Sequence, residues 1–311
     1  MNDYDALIIG GGAAGLSAAL VLLRARRRVA VIDAGHPRNA PASHMHGFLS
    51  REGMPPADFL AAGRAEVIEY GGAIIHDTVV ALTPGFVAQL SDGTSVRGRR
   101  VLATTGLHDR IPLLPGLSER WGRDVLHCPY CHGYEVRDQP LGVLGGDADA
   151  IAHAILVRQW SDDVILFVGD TALGDEQREL LDARGVRIQP GEVRGLVIDD
   201  DVLTAIELDD GRRIPRRALF VRPVFVANDA LLRDLGCGVD EAGWIIQRTG
   251  GATTVPGVYV AGNAADPRAQ VITAAGQGSA TAIAINADLV ADDLQAALSR
   301  ARTASPSAPA D

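Results

Sequence analysis

Two cysteines three positions apart, Cys128 and Cys131, lie in His127-Cys128-Pro129-Tyr130-Cys131-His132-Gly133-Tyr134-Glu135, the stretch of the chain richest in reactive side chains. A C-x-x-C pair can close a small disulfide ring, and such thiols ionise more easily than an isolated cysteine. Thiolate is the attacking species in thiol–disulfide exchange, so the spacing points to redox chemistry. His132 follows directly and is the candidate acid/base, because imidazole exchanges protons near neutrality. Orienting the loop is its alternative role. Three other readings of the pair exist. C-x-x-C-H is also the attachment signature of c-type haem, but that attachment follows export, and no export signal is legible. A zinc site needs more ligands, and the third cysteine, Cys237, has no ligand-spaced partner, so no metal is expected. Plain burial of both thiols is the third. Cys237 itself, in Leu235-Gly236-Cys237-Gly238, reads as structural.

A second group of residues is built for phosphate. Gly10-x-Gly12-Ala13-Ala14-Gly15 follows the apolar run Ala6–Ile9 and opens a helical pattern to about Arg24. In a dinucleotide fingerprint the first glycine permits the tight turn, the second lets the backbone approach a pyrophosphate, and the third lets helix and strand pack closely. An acidic residue about 20 positions on should hold a ribose hydroxyl. Asp33, followed by Ala34 at the end of the run Val29–Asp33, fits that role. This turn alone does not distinguish FAD from NAD.

The elements needed to position these groups form an α/β pattern. A βαβ unit opens the chain, a helix is expected over Ala57–Tyr70, and Val101–Thr105 is a strand ending at Gly106. Ile111-Pro112-Leu113-Leu114-Pro115-Gly116 can continue neither a helix nor a central strand and marks a junction. A second βα unit begins at Leu141–Gly145, strands follow at Val164–Val168, Val186–Ile188, Val193–Ile198 and Ala218–Val226, and the first pattern returns with a strand at Val258–Ala261 and a helix over Val271–Leu298. The expected organisation is two Rossmann-like dinucleotide-binding domains, the first discontinuous (1–112 and 241–300), the second spanning 113–240, with a disordered tail at 301–311. The uncharged run Ala6–Leu23 is long enough to suggest a membrane span, but four glycines crowd its first half and Asp3 and Asp5 precede it. It reads as a buried strand, turn and helix, with a cytoplasmic protein expected. A net charge of −10 argues against nucleic-acid or membrane partners.

Taken in order, these features resemble the low-molecular-weight thioredoxin reductases over nearly the whole chain. Ala103-Thr104-Thr105-Gly106 is similar to the strand end at which that family leaves its FAD domain. Thr254-Val255-Pro256-Gly257-Val258-Tyr259-Val260-Ala261-Gly262-Asn263 resembles its second FAD motif, with Asn263 where those enzymes usually carry Asp, and Gln270-Val271 resembles the start of its last helix. The resemblance implies FAD as cofactor, Cys131 as the thiol against the flavin, Cys128 as the exchange thiol, and a homodimer.

Two departures change the expected activity. The second glycine turn reads Gly145-Gly146-Asp147-Ala148-Asp149-Ala150, with Asp147 where the second glycine belongs, and the next strand runs into Val168-Gly169-Asp170 without the arginines that hold the NADPH 2′-phosphate. NADPH is therefore not an expected partner, although Asp170 leaves a 2′-hydroxyl of NADH open. Cys-Pro-Tyr-Cys-His-Gly-Tyr-Glu, His36-Pro37-Arg38-Asn39, His44-Met45-His46-Gly47-Phe48 and Gly262-Asn263 all resemble the thioredoxin-reductase-like dithiol oxidases that close disulfides in natural products, such as gliotoxin oxidase and the holomycin-forming oxidase. The implied reaction oxidises a small-molecule dithiol through Cys128 and Cys131, with FAD as carrier and O2 as acceptor, giving hydrogen peroxide. An NAD(P)H-dependent disulfide reductase and a non-catalytic flavin sensor are the alternatives. Arg38 could meet the FAD phosphates, with Asn39 beside it. His44 and His46 could line a substrate pocket or contact the flavin, and Glu135 could pair with a neighbouring base.

Overall fold

The computed structural model describes residues 2–304. The chain forms β1 (Asn2–Ile9), α1 (Ala13–Arg24), β2 (Val29–Ile32), α2 (Pro56–Glu69), β3 (Ala73–Ile75), β4 (Val79–Thr83), β5 (Val87–Leu90), β6 (Ser95–Ala103) and β7 (Leu107–Arg110). It continues through α3 (Leu117–Arg120), β8 (Val125–Leu126), α4 (Pro129–His132), β9 (Leu141–Leu144), α5 (Ala148–Val157), β10 (Val164–Gly169), α6 (Asp175–Ala183) and β11 (Arg187–Pro190). The last elements are β12 (Val193–Asp199), β13 (Val202–Leu208), β14 (Arg213–Pro215), β15 (Ala218–Val221), β16 (Val224–Ala227), α7 (Ala230–Asp234), β17 (Val258–Val260) and α8 (Val271–Ala304).

Two compact units result. The first gathers residues 1–38, 57–108 and 227–311, and the second gathers 39–56 and 109–226. The sequence-based boundaries lay at 112 and 241, and the segment 39–56 clusters with the second unit.

In the first unit β3-β2-β1-β6 run parallel, β17 joins β6 in parallel, and β5 and β4 extend the sheet antiparallel. A parallel sheet needs both faces covered, which is why β1 and β2 read as continuous apolar runs: Ala6, Leu7, Ile8 and all four residues of β2 are buried. Ala14, Ala18, Leu22 and Leu23 of α1 and Ala282, Ile285 and Leu289 of α8 share one core on one side. Small residues set the approach of the two helices: a Cβ on Gly278 would lie 2.0 Å from the Ala14 carbonyl oxygen.

In the second unit β11-β10-β9-β15-β8 form an all-parallel sheet. The antiparallel meander β12-β13-β14 adds Leu203, Ile206 and Leu208 to a core shared with Phe167 and Leu219.

Three expectations shift. The strand expected over Ala218–Val226 is two strands, because Pro223 between them offers no N–H to a ladder. The last helix runs on to Ala304, so residues 301–304 are helical; they are alanine, arginine and threonine with no proline among them. The rest of the expected tail, 305–311, lies outside the described residues. Among the described residues no helix is long and apolar enough to cross a membrane.

Candidate active site

The glycine turn between β1 and α1 is shaped by two constraints and one freedom. Gly10 has φ 112°, and a Cβ there would lie 2.3 Å from the Thr104 carbonyl oxygen; a Cβ on Gly15 would lie 2.0 Å from the carbonyl oxygen of Gly10. Both positions must be glycine for the chain to pack. Gly12 is different. Its φ of −79° and ψ of −173° suit any residue, and a Cβ would meet no protein atom within 4 Å. Nothing in the chain requires glycine there, and the missing side chain leaves open space over the start of α1. Gly12 also begins α1 without a side-chain cap, so the first N–H groups of a 12-residue helix remain available to an anion.

Other expected residues of the first unit converge on this turn. The Thr104 hydroxyl donates to the Ile9 and Gly10 carbonyls at 3.1 and 2.8 Å. Thr105 Oγ1 donates to the Asn228 carbonyl (2.6 Å), Asn228 Nδ2 returns a bond to the Thr105 carbonyl (2.9 Å), and the Asn228 N–H donates to the Gly106 carbonyl (3.0 Å). Asp33 follows β2 beside Gly11 and accepts from the Gly35 N–H at 3.1 Å; Ala34 is exposed. Gly262, in the left-handed region at φ 69°, would bring a Cβ within 3.1 Å of the Ala14 Cβ. Asn263 donates both amide hydrogens, to the Asp266 carbonyl at 2.8 Å and the Ala269 carbonyl at 3.0 Å, while its Oδ1 faces Arg38 Nη1 at 3.5 Å. Gln277 accepts from the Gly262 N–H (2.9 Å) and donates to the Asp266 carboxylate (2.8 Å), about two turns past the half-buried Gln270 and Val271 at the start of α8. Sequence reasoning missed Asn228, Asp266 and Gln277, since lone amides and carboxylates outside a named motif carry no spacing signal. Cys237 is buried beside Thr253, and burial pushes its thiol pKa up, as an inert structural cysteine requires.

The corresponding turn of the second unit is closed. Gly145 keeps a positive φ of 128°, but Asp147 caps α5: its Oδ1 accepts from the Ala150 N–H at 2.7 Å. Its carboxylate takes up an N–H and supplies the negative charge that a pyrophosphate would bring. Asp149 of the same first turn pairs with Arg222 at 2.8 Å. At the end of β10, Asp170 donates its N–H to Glu192 Oε1 at 3.2 Å, placing a second carboxylate there.

Also in the second unit, Cys128 and Cys131 are joined as a disulfide with Cα atoms 5.2 Å apart, both half-buried. Pro129 at the first position of α4 starts a single turn, and the Cys131 N–H donates to Cys128 Sγ at 3.1 Å. That bond stabilises negative charge on Cys128. Burial holds the His132 imidazole below its ordinary pKa; the Glu135 charge opposes the shift and the His46 charge adds to it. His46, expected as a cofactor or pocket residue, belongs to this cluster. Its Nδ1 lies 2.6 Å from Glu52 Oε1 and its Nε2 lies 3.5 Å from Glu135 Oε1. His44 stands 6.5 Å from it, ring to ring. Asn39 is half-buried and its carbonyl accepts from the Ala42 N–H at 3.1 Å. Glu52 was not anticipated, because only its place across the loop from His46 gives it a role.

Two glycine turns, each opening a helix from a parallel sheet, with a C-x-x-C between them in the sequence, suit a disulfide-handling oxidoreductase. Residues 4–278 match the model of the pyridine nucleotide-disulphide oxidoreductase family. The chain belongs to that family. This oxidoreductase is 30% identical to a thioredoxin reductase, sirT, of Leptosphaeria maculans over 94% of this chain and 96% of that one. It is 31% identical to the thioredoxin reductase tcpT of Claviceps purpurea, covering 84% and 87%. Among solved structures it resembles HlmI at 50% identity and a TM-score of 0.94 over 97% of both chains. It also resembles a putative thioredoxin reductase of Bacillus anthracis at 32% identity and a TM-score of 0.89, over 93% of this chain and 99% of that one.

Proposed function

We propose that this oxidoreductase is an FAD-dependent dithiol oxidase, closing a disulfide in a small-molecule dithiol through Cys128 and Cys131 and delivering the electron pair to dioxygen as hydrogen peroxide. The contrast between the two glycine turns carries this reading. At the first, Gly12 leaves space and α1 is uncapped; at the second, Asp147 caps the helix terminus, and Asp170 and Glu192 bring carboxylates to the end of β10. A carboxylate bonded to the Ala150 N–H repels pyrophosphate and competes for the same donor.

The first turn fits FAD. Gly10, Gly12, Ala13, Ala14 and Gly15 would receive the pyrophosphate, Asp33 and Ala34 the ribose, Arg38 with Asn39 the phosphates, and Thr105, Gly106, Gly262, Asn263, Gln270 and Val271 the remainder. Bound there, FAD supplies a two-electron acceptor that dioxygen can reoxidise. The protein's own steps are thiol chemistry. A substrate thiol gives its proton to His132, directly after Cys131 in α4; burial disfavours the charged ring, so the proton is held only in passing. Its sulfur attacks Cys128, the Cys128–Cys131 bond breaks, and Cys131 leaves as thiolate. The second substrate thiol then attacks the substrate sulfur of the mixed disulfide and closes the product. Cys128 leaves as a thiolate stabilised by the Cys131 N–H.

Adding dithiothreitol in air tests this. One peroxide should appear for each dithiol oxidised, and Cys131→Ser should abolish the turnover. Absence of turnover with any dithiol points instead to a flavin sensor. The names of the fungal relatives favour the second reading, an NAD(P)H-dependent disulfide reductase.

A further inference from the structure

The disulfide sits on a turn that has little of its own to hold it. α4 is a single turn of four residues, far too short to be stable by itself in water. While the Cys128–Cys131 bond is closed, that bond constrains the turn. Once it is reduced, the turn keeps a few backbone bonds: Cys131 and His132 N–H to the Cys128 carbonyl (each 3.1 Å) and Gly133 N–H to the Pro129 carbonyl (2.7 Å). Further support for the reduced pair must come from outside the turn.

Within the second unit Trp160, in the connection from α5 to β10, supplies it. The half-buried indole meets the turn at two places. Tyr130, between the cysteines, packs edge-to-face on it, with ring centroids 5.4 Å apart and planes at 88°. That tyrosine is otherwise 64% exposed. Gly133, just past α4, is the second contact. Its φ of −66° and ψ of −30° suit any residue, yet a Cβ there would fall 2.9 Å from indole Cγ and Cδ1 and 2.5 Å from the Pro129 carbonyl oxygen. The missing side chain lets the turn close down on the indole. The backbone that carries the indole is itself anchored. The Trp160 N–H donates to the Val157 carbonyl (2.9 Å), and the Trp160 carbonyl accepts from the Asp138 N–H (2.9 Å). The buried Ser161 beside it donates its hydroxyl to the Gln139 carbonyl (2.5 Å). These bonds fasten the segment that follows the turn to the connection that carries the ring.

We infer that Trp160 is a positioning residue for the redox pair: it holds the turn in its closing shape while Cys128 and Cys131 are reduced, and so sets the equilibrium between dithiol and disulfide. The disulfide state is held covalently and needs no such help. In the dithiol state only the fraction of molecules with the turn in the closing shape can form the bond, and the closing constant falls in proportion to that fraction. Removing the indole lowers the fraction and favours the reduced pair. The equilibrium is exchange with a small dithiol: protein disulfide and reduced dithiothreitol give protein dithiol and oxidised dithiothreitol, with one S–S bond and two S–H bonds on each side. The inference rests on the exchange at Cys128–Cys131 proposed above and is independent of where the electrons go afterwards.

The test equilibrates the full-length flavoprotein anaerobically with mixtures of reduced and oxidised dithiothreitol, traps thiols with iodoacetamide, and reads alkylation of Cys128 and Cys131 by peptide mass. Flavin absorbance of the same samples counts electrons on the flavin separately. Trp160→Ala should shift the equilibrium toward the dithiol about two- to tenfold, the equivalent of one edge-to-face aromatic pair. Trp160→Phe, which keeps a ring against Tyr130, should stay near wild type. An unchanged constant in folded Trp160→Ala overturns the inference, as does a shift toward the disulfide. A shift in Trp160→Phe as large as in Trp160→Ala also overturns it, since the ring contact would then have no part. Should Trp160→Ala fail to fold, Tyr130→Ala removes the same pair from the exposed side and should shift the equilibrium in the same direction, with Tyr130→Phe near wild type; no shift there overturns the inference. If dithiothreitol opens the pair in none of these proteins, the exchange of the proposed function fails and this inference with it. If NADPH proves to be the electron partner, the oxidase reading fails while the shift in Trp160→Ala stands.

Discussion

Asn263 stands where related reductases usually carry aspartate, and its two amide hydrogens are what the site uses, one on the Asp266 carbonyl and one on the Ala269 carbonyl. A carboxylate would face both carbonyls with no proton to share. Asn263→Asp should therefore cost about 1–3 kcal/mol, read as a lower denaturation midpoint at neutral pH; unchanged stability would show that the two bonds do nothing. His153 of α5 is a second buried residue with a measurable consequence. It is 6% exposed, neither ring nitrogen makes a hydrogen bond of normal geometry, and the His127 ring and Phe220 pack around it. Burial first, then the His127 and Arg222 charges, push its pKa from 6.5 down to about 4. The unfolded chain thus binds the proton first as pH falls. Stability from this residue is complete above pH 6.5 and is lost progressively down to about pH 4, by about 3 kcal/mol in all. His153→Leu should flatten that part of the stability–pH curve relative to wild type; an identical slope in both proteins contradicts the assignment. The sequence marked Asn263 as a departure but not why amide replaces acid, because the two carbonyls come from a turn whose path is set by tertiary packing. His153 carried no mark at all, being one histidine in an apolar helix.

At the scale of elements, α1 and α5 begin in the same way and end with opposite uses. Both follow a parallel strand and a left-handed or strained glycine, and both were legible as βα units from apolar run, glycine turn and helical period. That Asp147 replaces a glycine was also legible. Its bond to the Ala150 N–H was not, since a cap is a matter of side-chain direction. Asp147→Ala should lower stability by about 1 kcal/mol, the usual loss for a capping aspartate, and it should not create NADPH-driven reduction, because Asp170 and Glu192 remain. Both outcomes can be read from a denaturation curve and an anaerobic spectrum of the same sample; equal stability would remove the cap from the explanation. The approach of α8 to α1 gives another check. Gly278→Ala places a methyl 2.0 Å from the Ala14 carbonyl oxygen and should cost about 1–3 kcal/mol by overpacking, with a fall in thermal midpoint; a neutral result would mean the helices separate freely. Short polar elements were harder to read. α6 (Asp175–Ala183) buries only Leu181 among its residues, and α7 has five residues, so neither offers enough apolar positions to read.

Across the whole molecule, the first unit is assembled from three separated segments, with β17 and α8 returning to the sheet that β1 began. That return was legible because Val258–Ala261 and the following glycine repeat the strand-and-turn pattern of the N-terminus. The assignment of 39–56 to the second unit was not, because His44-Met45-His46 sits in a stretch without period, and contacts such as His46 with Glu135 and Pro41 with Gly122 are set by tertiary packing. On the proposed reading electrons come from a small thiol and not from NADPH, and a net charge of −10 gives a polyanion no long-range attraction. The direction of electron flow is therefore the property on which everything else turns, and one spectrum reads it. Under anaerobic conditions the flavin absorbance of the purified yellow protein is followed while NADPH, then NADH, then dithiothreitol is added. An oxidase keeps its colour through both nicotinamides, bleaches on the dithiol, and regains colour when air is admitted. Prompt bleaching by NADPH or NADH, at a rate competent for turnover, would contradict it.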